Sequence, residues 1–285
     1  MKIETLIEDI YAELQKPDSD YHHYMEARAK DSVVIQDEVP TRERSGLRFS
    51  KLGETCLTKL WLEINEPDSS SGFDGQTILK FQYGHLIEDY LLWLAEKAGH
   101  SVTHRQAEVS VLGVKGHIDA IIDGHLVDVK TASGYGFTKF ESGSLGDDPF
   151  GYAIQLSSYY QALRDSVPIS PICYFLVVNK ENGSICLMKF LPHDILLEKY
   201  IDGLQKELAR MDNPKPQIKP VEDGKSGNMK LDTKCRYCNF KFRCYPETRV
   251  FDYSGSPRFL TTVSRIPNVP EITTKVREKV SINED

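Results

Sequence analysis

The chain has 285 residues, of which 40% are hydrophobic and 27% charged, a composition typical of a globular protein in water. Its length suits one large domain, or one domain with extensions, with ample material for a buried core. No apolar run approaches the roughly 18 residues that a membrane span requires. The acidic N-terminus does not resemble a signal sequence, so we expect a cytoplasmic protein without membrane contact. The net charge of −7 means that any DNA contact would need a local basic patch and bound cations.

The first part of the chain is predicted to be helical, with an irregular stretch after the first helix. Apolar residues at helical spacing indicate an amphipathic helix over residues 3–14. The polar stretch 16–45 contains two prolines and is predicted to be irregular. Helices are predicted again over 57–64 and 78–98. We therefore expect residues 1–45 to form an extension, a helix followed by irregular chain.

The middle of the chain alternates between strand and helix patterns. Apolar and β-branched runs predict strands at residues 108–112, 116–122, 125–131, 172–178 and 184–190. Helices are predicted over 152–163 and 193–211, a loop rich in Gly and Ser over 133–151, and a linker over 214–232. This order predicts an α/β fold with a mixed central β-sheet flanked by helices. We expect the main domain at 46–246 and a C-terminal tail with little regular structure at 247–285.

A predicted hairpin over residues 116–131, which read GHIDAIIDGHLVDVKT, is the most informative segment. Asp123-Gly124 between two apolar, β-branched runs is a strong signal for a tight turn. Asp128 and Lys130 lie two residues apart on the second strand, so their side chains leave the same face of the sheet. The pair is therefore displayed together on one strand.

These residues suit the hydrolysis of phosphodiester bonds. Carboxylates such as those of Asp119 and Asp128 hold Mg²⁺ or Mn²⁺, and the cation both activates water and offsets charge on the phosphate. Lys130 would orient the attacking water or help to deprotonate it. The alternative is that Asp128 and Lys130 form an ordinary surface ion pair. The apolar flanks of both strands weigh against it, because charges on central strands are costly unless they bind something.

Polar residues on two predicted helices could complete such a site. His85 and Glu88 are three residues apart and share a helix face, which makes Glu88 a third acid unless it is simply an exposed helix glutamate. Gln155 and Tyr159 are four apart on the next predicted helix and could contact a phosphate, a base or the water near the lysine. By themselves they are weak signals, because such residues usually pack and cap.

Taken in chain order, these residues resemble the motifs of the PD-(D/E)xK nuclease superfamily and, within it, the RecB-like branch. The pieces that carry the resemblance are Gly84 with Glu88 four residues later, Gly116-His-Ile-Asp119, Asp128-Val-Lys130, and Gln155 with Tyr159. The resemblance implies that Glu88, Asp119 and Asp128 bind the metal ion and that Lys130 is catalytic. It also implies that Gln155 and Tyr159 form the accessory pair of this branch. His85 departs from the family spacing and ranks second as a ligand, and Ile118 replaces the family's Pro.

The six cysteines include a close set, Cys235-x2-Cys238-x5-Cys244. Such spacing lets one loop direct several thiolates at a single metal centre, and Cys56 is the best candidate for a fourth ligand. Zinc suits four thiolates as well as iron does, whereas a disulfide is not expected in the cytoplasm. The remaining two, Cys173 and Cys186, lie in predicted strands and are expected to be buried core thiols.

The layout of the cysteines resembles one subset of RecB-like nucleases, over residues 47–246. That subset has a lone Cys before the nuclease core and three clustered Cys after it, which together hold a [4Fe-4S] cluster. It includes the CRISPR-associated exonucleases and the nuclease subunit of the bacterial two-subunit helicase–nuclease. The resemblance implies that Cys56, Cys235, Cys238 and Cys244 bind a structural cluster that joins the N- and C-terminal segments of the domain, with zinc as the alternative.

Basic and aromatic residues near the cysteines could form a path for DNA. The basic residues are Arg42, Arg44, Arg48, Lys51 and Lys59 around Cys56, and Lys234, Arg236, Lys241 and Arg243 around the later cysteines. The alternative is a solvated basic face. Tyr237, Phe240, Phe242 and Tyr245 could stack on bases, but at least two of them are expected to pack around the metal centre. The loop at 133–151, with Lys139 and Phe140, could cover the substrate or serve as a mobile connector.

The expected function is metal-dependent cleavage of DNA. We expect an exonuclease rather than an endonuclease, acting on single strands or DNA ends in recombination, repair, or phage or CRISPR DNA processing. A recombination, replication or CRISPR protein would be its partner. Two alternatives remain open: a DNA-binding or assembly module that keeps the fold without activity, and a zinc-stabilised protein with no role on nucleic acid.

Overall fold

The computed structural model describes residues 1–31, 46–71, 75–145, 148, 150–254 and 256–272. The chain divides into two compact units. The core unit consists of Met1–Glu43, Leu47–Gly53 and Gly75–Gly203. The cysteine unit, named for the Cys56 and Cys235–Cys244 thiols within it, consists of Arg44–Gly46, Glu54–Asp74 and Leu204–Asp285. Chain segments that precede and follow most of the core unit therefore assemble into the cysteine unit.

The helices of the described residues are, in chain order, α1 (Leu6–Leu14), α2 (Tyr21–Asp31), α3 (Leu57–Asn65), α4 (Gly75–Lys97), α5 (Gly134–Glu141), α6 (Tyr152–Leu163), α7 (Leu197–Arg210), α8 (Thr233–Arg236) and α9 (Lys241–Cys244). Short 3-10 helices lie at Ile3–Thr5, Phe49–Lys51 and Pro67–Ser69. Across this described part of the chain, no helix is long and apolar enough to cross a membrane.

Most of the predicted helices are confirmed, with ends shifted by about one turn at most; they are α1, α3, α4, α6 and α7. The prediction of irregular chain over residues 16–45 is wrong for α2, and residues 32–45 lie outside the described residues. The sequence of α2 is polar and does not predict a helix, but tertiary contacts hold this segment in place. Tyr24 is buried, with its ring edge-on to Tyr90 and Trp93. The loop predicted over 133–151 contains α5, which buries Phe137 and Phe140.

The strands are, in chain order, β1 (Val102–Thr103), β2 (Glu108–Val111), β3 (Val114–His117), β4 (Ala120–Ile122), β5 (His125–Ala132), β6 (Cys173–Asn179), β7 (Ile185–Phe190), β8 (Val221–Glu222), β9 (Met229–Lys230), β10 (Arg249–Tyr253) and β11 (Ser256–Thr262). The single strand predicted over 116–122 is wrong, since β3 and β4 belong to different sheets and Ile118 and Asp119 lie between them. Because the residues around Asp119 are apolar, the sequence pattern does not show that β3 ends and β4 begins in this stretch.

The core unit is built on a five-stranded sheet with the order β1-β4-β5-β6-β7. Strands β4 and β5 form the predicted hairpin through Asp123 and Gly124, which both have positive φ, as a type I′ turn requires. Strand β5 pairs in parallel with β6, whereas the other pairs are antiparallel, so the sheet is mixed. The predicted α/β fold with a mixed central sheet flanked by helices is thereby confirmed, and β5 is its central strand.

The hydrophobic core of this unit lies between the sheet and the helices α1 and α4. Ile3, Leu6 and Ile10 are almost fully buried and belong to one hydrophobic cluster, which also contains Leu92 of α4 and Val127 of β5. Each such side chain stabilises the fold by about 1.5–3 kcal/mol. The first helix therefore completes the core. On the sheet, Cys173 and Cys186 are buried core thiols as predicted, and burial raises the pKa of Cys173 to about 12.

The cysteine unit contains a four-stranded sheet with the order β10-β11-β9-β8. Strands β8 and β9 lie in the stretch 214–232 that was predicted as a linker. Strands β10 and β11 form an antiparallel hairpin over residues 249–262, so the prediction of a tail with little regular structure is wrong there. Phe251 and Leu260, on the two strands of that hairpin, are almost fully buried. Residues 273–285 lie outside the described residues.

Candidate active site

Asp128 and Lys130 lie on the central strand β5, with Lys130 Nζ 2.6 Å from Asp128 Oδ2. Asp128 is only 5% exposed, so the pair is not the surface ion pair of the alternative interpretation. Burial by itself would lower the pKa of Lys130, but the carboxylates of Asp128 and Asp119 outweigh burial and raise that pKa above its ordinary value. A buried ion pair is often no more stabilising than apolar residues of similar volume, so its presence on a central strand suggests a role other than stability.

Asp128 Oδ2 has no hydrogen bond within the described part of the chain. Its approach to Lys130 is an ion pair at 2.6 Å that lacks the angles of a hydrogen bond. A buried carboxylate oxygen that is left in this state calls for an explanation such as an ion or a reacting group. The atom is suited to a cation.

Asp119 lies in the break between β3 and β4, not on a strand as predicted. Its Oδ2 accepts a hydrogen bond of 2.6 Å from the backbone N–H of Val129, which places the carboxylate beside Asp128. Burial, and then the nearby Asp128 carboxylate, raise the pKa of Asp119 well above its ordinary value. Two buried acids that repel each other in this way are stabilised by a cation between them.

Glu88 of α4 faces the same region. Burial raises the pKa of Glu88, the hydrogen bond from Gln106 and the charges of His85 and Lys130 lower it, and Asp128 raises it further. Glu88 is half-buried, so the alternative of an exposed helix glutamate is not what the structure shows. His85, one turn earlier, is exposed. The structure therefore brings together the three acids and the lysine that the sequence singled out.

Tyr159 is 4% exposed, and its ring stacks on Phe49 with centroids 5.0 Å apart. A side chain on Gly116 would come within 2.6 Å of the Tyr159 hydroxyl, so β3 runs directly over it. Burial raises the pKa of Tyr159, and the charges of Asp128 and Asp119 raise it further. Gln155 lies one turn earlier on α6 and is half-buried. Tyr159 is thus a packed residue, in agreement with the alternative that such residues usually pack, while contact of the pair with a phosphate, a base or the water near Lys130 stays a prediction.

Three residues of this region were not singled out from the sequence. Gln106 Nε2 donates a hydrogen bond of 2.5 Å to Glu88 Oε1. The Tyr152 ring lies 5.3 Å from Lys130 Nζ, and the Phe150 ring lies 5.5 Å from that of Tyr152. None of these contacts was predicted from the sequence, although Phe150-Gly-Tyr152 at the start of α6 is a weak signal for an aromatic pair.

The residues of this site fit a hard divalent cation. Mg²⁺ and Mn²⁺ prefer carboxylate oxygens, and the site offers Glu88, Asp119 and Asp128, with the unsatisfied Asp128 Oδ2 among their oxygens. As the side chains stand in the described residues, no three His, Cys, Asp or Glu are arranged to hold one ion. Instead Asp128, Asp119 and Glu88 contact Lys130, the Val129 amide and Gln106, respectively.

Four cysteines line a single pocket of the cysteine unit: Cys56, Cys235, Cys238 and Cys244. Burial raises the pKa of all four, to about 12 for Cys235 and about 11 for Cys244. The charges of Cys238 and Cys56 add to this effect at both Cys235 and Cys244. The four thiols therefore line one pocket, but as they stand no three of them are arranged to hold one ion in the described residues. A bound cation would favour their thiolate forms.

The basic residues of this unit are partly engaged in ion pairs. Lys59 pairs with Glu54 at 2.6 Å, and Arg243 pairs with Glu66 at 2.8 Å. Lys59 also lines the cysteine pocket, together with Lys234 and Lys241. Of the other basic residues predicted to form a DNA path, Arg42 and Arg44 lie outside the described residues.

The aromatic residues near the cysteines divide between packing and exposure. Phe240 is 1% exposed and packs with Leu62 and Cys238, and the hydroxyl of Tyr245 donates to the Ile218 carbonyl. Tyr237 is 62% exposed. Phe240 therefore packs as expected, whereas the packing of at least two rings around a metal centre stays a prediction. In the core unit, Phe140 of α5 is buried as well, so it does not form a substrate cover.

Comparison with known families identifies the family of the chain. A family model of the PD-(D/E)XK nuclease superfamily matches residues 19–245, which is most of the chain. The chain therefore belongs to the PD-(D/E)XK nuclease superfamily, whose members are metal-dependent nucleases. One similar solved structure, described as "Crystal structure of SSO0001", shares 16% identity over 78% of this chain and 95% of that chain, with a TM-score of 0.42. No curated protein matches the chain in sequence.

Proposed function

We propose that the protein is a Mg²⁺- or Mn²⁺-dependent deoxyribonuclease of the RecB-like branch. The observation that carries the proposal is the buried Asp128–Lys130 pair on β5, with the Asp119 carboxylate held beside it and Glu88 in the same region, in a chain of this superfamily. In this proposal the three acids bind the metal ion, and His85 ranks second to Glu88. The buried Asp128 Oδ2 supports it, because this oxygen has the Lys130 ammonium as its ion-pair partner at 2.6 Å but no well-aligned hydrogen bond in the described residues, so it can still bind a cation.

The residues divide the chemistry of hydrolysis among them. A bound divalent cation lowers the pKa of a water and offsets negative charge on the phosphate. Lys130 would orient that water and balance charge in a site that holds three acids. Gln155 would contact the substrate or the water, as the resemblance to RecB-like enzymes implies. Tyr159 would hold β3, and with it the segment leading to Asp119, against α6.

We propose that the substrate is a single strand or a DNA end and that cleavage is exonucleolytic. The aromatic pair beside the lysine supports a single strand. Phe150 is 56% exposed, and its ring contacts that of Tyr152, which itself contacts Lys130 Nζ. Unpaired bases stack on such rings, whereas bases in a duplex are stacked on each other. Recombination, repair, or phage or CRISPR DNA processing, with a partner protein from such a pathway, would supply substrates of this kind.

Cleavage of labelled DNA by the purified protein tests the proposal. The expected result is cleavage of single strands with Mg²⁺ or Mn²⁺ and none in EDTA. Lys130→Met should abolish cleavage, while Lys189→Met, an exposed lysine on β7 of the same sheet, should not. Equal cleavage by Lys130→Met and the wild type would exclude the mechanism. DNA retention without metal-dependent cleavage would instead favour a binding or assembly module.

We propose further that Cys56, Cys235, Cys238 and Cys244 bind a [4Fe-4S] cluster. Their shared pocket supports a four-thiolate centre. Zinc fits four thiolates too, and the preference for iron rests on the resemblance to iron–sulfur RecB-like nucleases. The nuclease domain would then span residues 46–246 with these cysteines, together with the first helix, which completes the core, and the hairpin of β10 and β11.

Iron and acid-labile sulfide, measured on protein purified without oxygen, test the cluster. The expected result is a brown protein that loses its colour and iron in Cys235→Ser and keeps both in Cys186→Ser, a buried core thiol of the other unit. A colourless protein that contains zinc and no iron would overturn the iron–sulfur proposal and leave the nuclease proposal standing.

A further inference from the structure

A short loop at residues 104–107 lies between β1 and β2 and has a strained backbone. His104 has a φ of 54° and Gln106 a φ of 50°, both in the left-handed region that few residues other than glycine adopt. Conformations of this kind persist only where the surrounding structure fixes them, and they are concentrated at functional sites. The contacts of Gln106 show which groups hold this residue in its conformation.

Gln106 bridges two of the acids of the candidate site. Its Nε2 donates a hydrogen bond of 2.5 Å to Glu88 Oε1 on α4. Its backbone N–H donates a hydrogen bond of 3.1 Å to the carbonyl oxygen of Asp119. One residue therefore links a side chain on the helix to the backbone of the segment that carries the second acid.

The neighbouring residues hold the loop in this position. The Arg105 guanidinium donates to Glu96 Oε2 at 2.7 Å and to the Asp89 carbonyl at 3.2 Å, and both acceptors are on α4. On the other side, the Ile118 N–H donates to the Ala107 carbonyl at 3.1 Å. The loop is thus attached to α4 next to Glu88 and to the chain next to Asp119.

The chemistry of the side chain suits this place. An amide orients a carboxylate by hydrogen bonding but carries no charge, so it leaves the full negative charge of Glu88 for a cation. A lysine or arginine in the same position would compete with that cation. The loop would therefore fix the direction of Glu88 without neutralising it.

We propose that Gln106 is a positioning residue for the metal site: by its hydrogen bond to Oε1 it holds the Glu88 carboxylate at the site and leaves Oε2 for a cation shared with Asp119. The proposal rests on the proposed function, in which both acids bind metal. Partners that orient metal ligands in this way change metal affinity by about 10- to 100-fold when they are removed. We expect a loss of that size.

Direct Mn²⁺ binding, measured by calorimetry or by the electron paramagnetic resonance of free Mn²⁺, provides a readout independent of activity. Gln106→Gly keeps the left-handed backbone and removes the amide, so its Kd for Mn²⁺ should rise about 10- to 100-fold. His104→Gly is the matched control, since it makes the same backbone change in the same loop and its side chain contacts only Thr103 in the described residues. Its Kd should equal that of the wild type.

A second readout separates positioning from catalysis. Cleavage by Gln106→Gly should require more Mn²⁺ for its half-maximal rate but approach the wild-type kcat at saturating Mn²⁺. Gln106→Asn, which tolerates the left-handed conformation but is one methylene too short to reach Glu88, should behave in the same way if the glycine variant does not fold.

Unchanged Mn²⁺ affinity in a folded Gln106→Gly or Gln106→Asn variant would overturn the inference while the wild type still binds Mn²⁺ and cleaves DNA. Failure of the wild type itself to bind Mn²⁺ or to cleave would instead overturn the proposed function. Equal losses in Gln106→Gly and His104→Gly would also overturn the inference, because the backbone and not the amide would then be responsible.

Discussion

Charged residues on a central strand are the most telling observation at the scale of single residues. Asp128 and Lys130 lie on β5 between two neighbouring strands, where apolar residues would give a more stable sheet. Asp128 Oδ2 even lacks a hydrogen bond. We propose that this cost is retained because the pair forms part of the active site of a nuclease, in keeping with the superfamily to which the chain belongs.

Removal of the exposed ring of Phe150 should weaken binding of single strands specifically. Stacking contributes about 1–3 kcal/mol per base, so Phe150→Ala should raise the KM for single-stranded DNA by about tenfold. The control is duplex DNA, for which the same variant should show an unchanged KM. An equal change on both substrates would contradict a stacking role for the aromatic pair.

The two residues of the accessory pair should respond differently to truncation. Tyr159→Ala removes a buried ring stacked on Phe49 and should lower the free energy of unfolding by about 3–5 kcal/mol, as measured with urea. Gln155→Ala, at a half-buried position, should change stability little and reduce cleavage. A Tyr159→Ala variant as stable as the wild type would refute the packed role.

At the scale of elements, the sequence predicts those parts whose pattern is local. The hairpin β4–β5 follows from Asp123-Gly124 between apolar runs, and α6 from its helical spacing. Helix α5 was missed because Gly134 and Gly136 suggested a loop, whereas its formation depends on Phe137 and Phe140 packing against the sheet. Local pattern cannot reveal an element that tertiary contacts stabilise.

The candidate site shows the same division. The acids and the lysine were found because they interrupt apolar runs, and the structure brings them together. Gln106 was missed, because its contact with Glu88 depends on a left-handed loop that no spacing rule describes. Tyr152 was recognised only as the start of a helix, and its place beside Lys130 became visible only in three dimensions.

Helix α1 should make the stability of the core unit depend on pH through Glu13. This buried carboxylate accepts hydrogen bonds of 2.6 Å from Lys16 and Ser19, which lower its pKa below the ordinary 4.5. Because the folded pKa is the lower one, the stabilisation is present above pH 4.5 and is lost as the pH falls below it through the folded value.

Thermal unfolding of Glu13→Gln across this range tests the effect. The variant should be less stable than the wild type at neutral pH, and the difference should shrink as the solution is acidified. Glu8→Gln, an exposed glutamate on the same helix, serves as the control and should follow the wild type. A difference for Glu13→Gln that is constant with pH would contradict the assignment.

At the scale of the whole molecule, the residues proposed for catalysis and the four cysteines of the pocket belong to different units of the chain. The proposed metal ligands and Lys130 belong to the core unit, and the four cysteines belong to the cysteine unit. The latter unit is assembled from chain on both sides of the core unit, so a centre bound by Cys56 and Cys235 would close a very long loop. Closing such a loop would stabilise the folded protein, because it reduces the conformational entropy of the unfolded chain.

Loss of the thiol centre should therefore affect one unit more than the other. In Cys235→Ser, amide hydrogen exchange should increase in α3, β9 and β11 of the cysteine unit, because these elements lose the restraint of the centre. Exchange in β5 and β6 of the core unit should stay close to that of the wild type. Uniformly increased exchange throughout the chain would show that the two units do not unfold separately.

The net charge of −7 adds a condition at this scale, because an acidic protein binds a polyanion only through local charge and bound cations. The proposed metal site would thus be central both to the chemistry and to substrate binding. The most direct test replaces one proposed ligand without changing its shape. Asp119→Asn retains an oxygen that can accept the Val129 amide hydrogen bond but removes the charge.

The measurement is the rate at which Asp119→Asn cleaves labelled single-stranded DNA in Mn²⁺, with Asp165→Asn, a highly exposed aspartate on the same unit, as the matched control. Circular dichroism establishes that both variants are folded. The nuclease assignment predicts that cleavage is lost in Asp119→Asn and retained in Asp165→Asn. Cleavage by a folded Asp119→Asn at the wild-type rate would contradict the proposal that Asp119 belongs to a metal-dependent active site.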